Sequence, residues 1–362
     1  MPETERWFRA PGRVNLIGDH TDYNEGFVLP VAVDLGCTVR GKRRLDGVVR
    51  VRSLDVDGEV ELAADGSTDA ASIPDVWARY AAGVVRSLAK RGREPVGFDA
   101  VVSSTIPLGA GLSSSAAFEV ALAFALCDVA DLELSPLELA LACQEAEQEA
   151  LGVPVGIMDQ LASVEGKRNH ALLIDCRSLD VRPIALPPRL AVLILHSGMS
   201  RALIDSEYAE RREACESMAA LLGVSALRDA TPEQVVDEPR ARHVVSENAR
   251  VLEAAEALAS GDVAALGPLL NASHQSLRDD FEVSTPELDA LSQALRDAGA
   301  IGARLTGAGF GGCVVGLAGR DEAERIVETA AGHYWAETGH QPRAFVFRAV
   351  DGAGRIPPQK VA

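Results

Sequence analysis

The 362-residue chain reads as an α+β protein of two domains. Three observations predict this class. Short runs of β-forming residues crowd the first sixty positions and return after residue 170, with long helical patterns between them. The length exceeds the ~100–200 residues of a typical domain. The segment Arg182-Pro-Ile-Ala-Leu-Pro-Pro188 places three prolines where a regular element would need amide donors. That segment reads as a linker, and the expected domains are 1–185 and 186–362.

In order, strands are expected at Val14 to Ile17, Phe27 to Val33, Cys37 to Arg40, Val48 to Val51 and Glu59 to Leu62, with turns at Asp22 to Gly26 and Leu45 to Gly47. A helix follows from Val76 to Arg91 and stops at Gly92. Phe98 to Ser103 is a strand. Pro107 to Gly111 is a loop from which a helix opens at Ser113 to Ser115. The next helix starts on a capping box, with Ser135 as N-cap, Pro136 at N1 and Glu138 at N3, and ends before Gly152. Strands are expected at Ala171 to Asp175 and Leu190 to His196. Helices follow near Ser206–Leu222, Val245–Ala259 and Pro286–Ala298. A strand pair comes next, Ala303 to Thr306 and Cys313 to Leu317, then a helix over Asp321–Thr338 and a last strand at Ala344 to Arg348.

Fifty-three acidic against thirty-five basic residues give a net charge of −18 and a pI near 4.8. Such a chain repels nucleic acid and anionic membrane surfaces, so an anionic substrate must meet a local positive site. The most apolar helical run, Ala116 to Ala130, contains Glu119 and Asp128 and falls short of the ~20 residues of a membrane span. The polar N-terminus reads as no signal peptide. The six cysteines form no CxxC pair and sit among apolar residues, which points to reduced thiols in the cytoplasm. The remaining histidines, such as His170 and His196, show no metal-ligand spacing.

Three stretches can carry chemistry. Pro11 to Gly26 crowds Arg13, Asp19, His20 and Asp22 onto a strand and turn; carboxylates and an imidazole this close suit the vicinal hydroxyls of a sugar, although a solvated charged turn has the same composition. Pro107-Leu-Gly-Ala-Gly-Leu-Ser-Ser-Ser-Ala-Ala117 joins a strand to a helix. Its glycines allow close backbone approach, and the helix N-terminus carries about half a positive charge, so it reads as a phosphate site. It lacks the GK[ST] of a Walker loop. Leu305 to Gly312 satisfies GxGxxG on paper, but a β-type run follows where a helix should open, so a glycine hairpin fits better. Asp159 lies in a weakly polar run, where burial requires a partner. Glu147 shares a helical stripe with Ala140, Cys143 and Leu151, as a metal ligand or a paired structural carboxylate would.

Taken together these segments resemble the galactokinase branch of the galactokinase–homoserine kinase–mevalonate kinase family. The likeness rests on Arg13 to Pro30 (RVNLIGDHTDYNEGFVLP), Gly109 to Ala117 (GAGLSSSAA) and Arg304 to Cys313 (RLTGAGFGGC), with further likeness at 156–160, 206–212 and 351–355. The resemblance implies a two-domain small-molecule kinase fold with the site in the cleft between domains. It implies transfer of the ATP γ-phosphate to the anomeric C1 hydroxyl of D-galactose, with Mg2+. Asp159 matches the catalytic base, and Arg13 the arginine that pairs with it and steadies the phosphate. Asp19, His20, Asp22, Gly156 and Tyr208 match sugar contacts. Gly109, Ala110, Gly111, Leu112, Ser113, Ser114 and Ser115 match the ATP loop, and Trp77 an aromatic near adenine. Ser115 and Glu147 match the magnesium ligands. One departure stands out: the branch usually carries Glu where this chain has Asp19, which would sit about one methylene back from the hydroxymethyl end of the sugar. A kinase of a related sugar, or a silent sugar and ATP sensor, are the alternatives.

Overall fold

The computed structural model describes residues 4–107, 109–199 and 204–358, so Leu108 of the glycine–serine loop lies outside the described residues. The first layer is a six-stranded sheet built from β1 (Arg6–Asn15), β3 (Pro30–Arg44), β4 (Val48–Ser53), β5 (Glu59–Ala63), β6 (Gly97–Ser104) and β13 (Gly354–Ile356), in the order β13-β1-β3-β6-β4-β5. The two short runs expected at 27–33 and 37–40 are largely one long strand, β3, preceded by the two-residue β2 (Phe27–Val28). A shift of register between Pro11 and Arg13 bulges β1 against β3.

Helices α2 (Ser114–Val129) and α4 (Met158–Glu165) lie on this sheet, and α1 (Val76–Lys90) and α3 (Pro136–Leu151) pack on them and on each other. Apart from Glu119 and Asp128, helix α2 is apolar from Ala116 through Val129, and it packs across β1 and β3. This packing fixes where its N-terminus points. Helix α3 begins as its sequence predicts: Ser135 accepts from the Glu138 amide and Glu138 reaches back to the Ser135 amide.

Strands β7 (His170–Asp175) and β8 (Val181–Ala185) form a small sheet with β2, in the order β2-β7-β8. This corrects the linker expected at 182–188. Pro183 lies in β8 opposite Leu172, tolerated because β8 is an edge strand. The remaining sheet runs β10-β11-β9-β12, from β9 (Leu190–His196), β10 (Gly302–Thr306), β11 (Cys313–Gly319) and β12 (Arg343–Phe347). Its two faces serve two cores: Val192 and Ile194 of β9 join the core under the first sheet, while Leu193 and Leu195 join a second core. Helices α5 (Ile204–Leu222), α6 (Pro239–Ser260), α7 (Val263–Asp279), α8 (Pro286–Asp297) and α9 (Ala323–Thr338) complete this half.

Helix α7 was not expected; it carries Gly267 and Pro268 inside it. The glycine is there for close packing: a Cβ on Gly267 would stand 2.3 Å from the Ile301 carbonyl oxygen at the start of β10. Strand β13 was also not expected. It pairs with β1, and Ala349 bridges to Val33, so the chain returns to the first sheet after completing the second half.

Two glycine substitutions test this packing in opposite directions. Gly332 sits inside α9 with nothing within 4 Å of its would-be Cβ, so Gly332→Ala should stabilise by roughly 1 kcal/mol in denaturant unfolding. Gly267→Ala carries the same helix-propensity gain, yet should destabilise by about 1–3 kcal/mol because its methyl collides with β10.

Candidate active site

Three polar segments meet over the N-terminus of α2 and line a cleft of about 360 Å³. The first is the glycine–serine loop. Gly109 and Gly111 take φ of +70° and +73°, as a loop turning tightly into a helix requires. Ser113 also lies in the left-handed region, at φ +56°, and its hydroxyl does not cap the helix. It donates instead to Asp159 Oδ2.

The second segment is Arg13 on β1. Its Nε and Nη2 donate to Asp159 Oδ1 and Oδ2 at 2.7 and 2.8 Å, a two-point pair between residues 146 apart in sequence. Its Nη1 donates to the Gly111 carbonyl at 2.8 Å, and its amide to the Leu112 carbonyl at 3.2 Å. Arg13 is 6 % exposed, while the Asp159 side chain is 26 % exposed and faces the cleft. Beside them Ser115 Oγ donates to Glu147 Oε1 at 2.7 Å. Burial, reinforced by the charge of Asp159, pushes the Glu147 carboxyl up to about 7.

The third segment is the turn after β1. Asp22 is placed by a void: a Cβ on Gly156 would fall 1.7 Å from Asp22 Oδ2, so only glycine at 156 leaves room for that carboxylate. Burial and the nearby Asp159 charge raise Asp22 to about 6. His20, at φ +65°, uses both ring nitrogens: Nε2 lies 3.2 Å from the Ala308 carbonyl and Nδ1 lies 2.9 Å from the Tyr23 hydroxyl. A carbonyl only accepts, so Nε2 carries the proton and Tyr23 donates to Nδ1. Burial lowers His20 to about 3, which keeps the ring neutral. Tyr208, from α5, packs edge-on to Tyr23 and lines the same cleft.

Asp19 is 3 % exposed, and its carboxylate is largely taken up by the protein. It pairs with the fully buried Arg304 of β10 and accepts from Asn15 Nδ2 and the Gly307 amide, each at 3.2 Å. The segment is held from behind by α6 and α7. Glu247 accepts from the Gly18 amide at 2.9 Å and from Ser273. Burial would raise Glu247, but Arg250 and Arg304 outweigh it and bring it to about 2.

The structure therefore brings Arg13, Asp19, His20, Asp22, Gly109, Gly111, Ser113, Ser114, Ser115, Glu147, Gly156, Asp159 and Tyr208 to one cleft. Ala110 and Leu112 point into the core, so they can offer a ligand only their backbone. Trp77 is placed differently from the expectation. It packs on the core and beside Gly58, with its indole Nε1 buried and unpartnered, and the neighbouring Val76 and Tyr80 line the cleft. Sequence reading missed Arg304, Glu247, Gln160 and the roles of Ser113 and Glu119. A single arginine in the apolar strand 303–306, and Glu119 inside an apolar helix one turn past Ser115, were the available signals.

Among the described residues no helix is long and apolar enough to cross a membrane. The model of the galactokinase galactose-binding signature matches residues 2–43, that of the GHMP kinase N-terminal domain 79–167, and that of the GHMP kinase C-terminal region 254–334. A galactokinase of Lactococcus lactis, solved with galactose, is 32 % identical over 97 % of this chain and 95 % of its own, with a TM-score of 0.91. The mevalonate kinase of Methanococcus jannaschii shares the fold at 20 % identity, over 96 % of this chain and 99 % of its own, with a TM-score of 0.72. A cleft that pairs Arg13, within the galactose-binding signature, with Asp159 at a glycine–serine loop is thus housed in the fold these kinases share, and the chain belongs to the galactokinase family of GHMP kinases.

Proposed function

We propose that this protein transfers the γ-phosphate of ATP to the C1 hydroxyl of D-galactose, giving galactose 1-phosphate and ADP. The observation that carries the reading is the Arg13–Asp159 pair between the α2 N-terminus and the sugar-signature turn. The backbone of 109–115 and the positive end of α2 receive the triphosphate. The sugar lies among Asp19, His20, Asp22, Gly156 and Tyr208, with its anomeric hydroxyl on Asp159. An ionised carboxylate offers about four lone-pair sites. Three on Asp159 are taken by Arg13 and Ser113, which leaves one for the acceptor proton. Asp159 takes that proton as C1 oxygen attacks the γ-phosphorus in line, and Arg13 offsets the charge on the transferred group.

Ser115 and Glu147 present hard oxygen donors where the phosphates arrive, which fits magnesium. Among the described residues no cluster of three His, Cys, Asp or Glu forms a protein-only cage, and magnesium needs none when phosphates complete its shell. Bound there, it neutralises charge on the phosphoryl oxygens. None of the six cysteines forms a disulfide, which fits a reducing cytoplasm.

Asp19 favours a second reading, a kinase of a related sugar, since its carboxylate is already engaged by Arg304, Asn15 and Gly307. ADP release from Mg-ATP with D-galactose, 2-deoxygalactose, galactosamine, arabinose, galacturonate and glucose decides between them. Preference for D-galactose supports the main reading. Turnover with another of these sugars moves specificity to Asp19, and ATP binding without any turnover indicates a sensor.

Asp159→Asn should keep ATP binding and lose turnover by about 10²–10⁴-fold; near-normal turnover rejects the base assignment. Glu147→Gln should raise the Mg2+ concentration needed for half-maximal rate, and an unchanged titration removes it from the metal site. Gly156→Ala should displace Asp22 and reduce kcat/KM for the sugar by about 10²-fold while leaving ATP affinity alone.

A further inference from the structure

Behind the Ser115–Glu147 hydrogen bond lies a buried layer that the phosphotransfer reading does not use. Gln160, next to Asp159 on α4, is fully buried. Its Nε2 donates to Glu147 Oε2 at 2.6 Å and reaches Glu119 Oε2 at 3.4 Å. Glu119 is also fully buried, on α2 one turn beyond Ser115. Two buried acceptors here have no partner, Gln160 Oε1 and Glu119 Oε1.

An ionised Glu119 in this position would be a buried charge with one long hydrogen bond, at an expense of several kcal/mol. A neutral carboxylic acid removes the charge and supplies a donor, and the unpartnered Gln160 Oε1 is an acceptor in the same buried layer, while Gln160 Nε2 donates to both Glu147 Oε2 and Glu119 Oε2. Burial, with Glu147 nearby, pushes the Glu119 carboxyl well above the usual carboxylate range, in agreement with this arrangement. The terminal torsion of a glutamate is otherwise broad and two-fold. With Oε2 held by Gln160, Oε1 is left facing Ser115.

Resting on the assignment of Glu147 to the metal site, we propose that Gln160, anchored by Glu119, is a positioning residue that fixes the Glu147 carboxylate for metal–nucleotide binding. A role in core packing alone would lower stability without selecting metal over sugar.

The test is Mn2+ binding to the full-length protein with ADP, followed by electron paramagnetic resonance, beside equilibrium dialysis of labelled galactose. Gln160→Met keeps the bulk and removes the donor. It should weaken Mn2+ by about 10–100-fold and leave galactose affinity within about twofold. Glu119→Gln can form a reciprocal amide pair with Gln160 and should bind Mn2+ as the parent does, whereas Glu119→Leu should match Gln160→Met without adding to it in the double variant. Unchanged Mn2+ affinity in Gln160→Met, or equal loss of Mn2+ and galactose, overturns the proposal. If Gln160→Met does not fold, Glu119→Leu with unchanged Mn2+ affinity overturns it equally. Glu147→Gln is the reference: unchanged Mn2+ affinity there removes the metal assignment itself, while weakened affinity there beside an unaffected Gln160→Met removes only the positioning role.

Discussion

One guanidinium joins the parts of this site. Arg13 holds Asp159 at two points, and on its other side it holds the Gly111 carbonyl of the loop. The planar fork of arginine permits this, and a lysine offers no equivalent geometry. Two features of β1 aim it. The register shift between Pro11 and Arg13 re-aims the side chain, and Gly12 lets the strand approach the loop, since a Cβ there would stand 2.5 Å from the Leu112 carbonyl. The apolar helix α2 supplies the fixed wall against which the arrangement is built.

The electrostatics follow from that geometry. A nucleotide bound as proposed would enter a chain of net charge −18 beside Asp19, Asp22, Glu147 and Asp159. Arg13 and Arg304 each take one of these carboxylates, and burial pushes two others, Asp22 and Glu147, toward neutrality. On that proposal, oriented backbone amides at the start of α2 would add attraction for phosphate without adding net charge.

Local signals in the sequence were read well. The capping box of α3 is formed by the residues expected, and the glycine–serine loop opens a helix where expected. Long-range facts were not legible in the residues alone. The meeting of Arg13 with Asp159, and of Asp19 with Arg304, depends on packing between segments far apart, and only family resemblance joined the first pair. Where local rules misled, tertiary context had changed their meaning. Pro183 suits a linker but also suits an edge strand. Trp77, matched to an adenine neighbour by the family resemblance alone, packs on the core, and Val76 and Tyr80 of α1 line the cleft.

The return of β13 to β1 bears on biosynthesis. Until residues 354–356 have left the ribosome, the strand that carries Arg13 has β3 on one side and an open row of backbone donors and acceptors on the other. A nascent chain can complete α2 and the loop well before that edge is covered. Chains stalled or terminated before residue 354 would therefore expose it as a template for pairing with other chains, and shielding by chaperones would matter until 354–356 emerge.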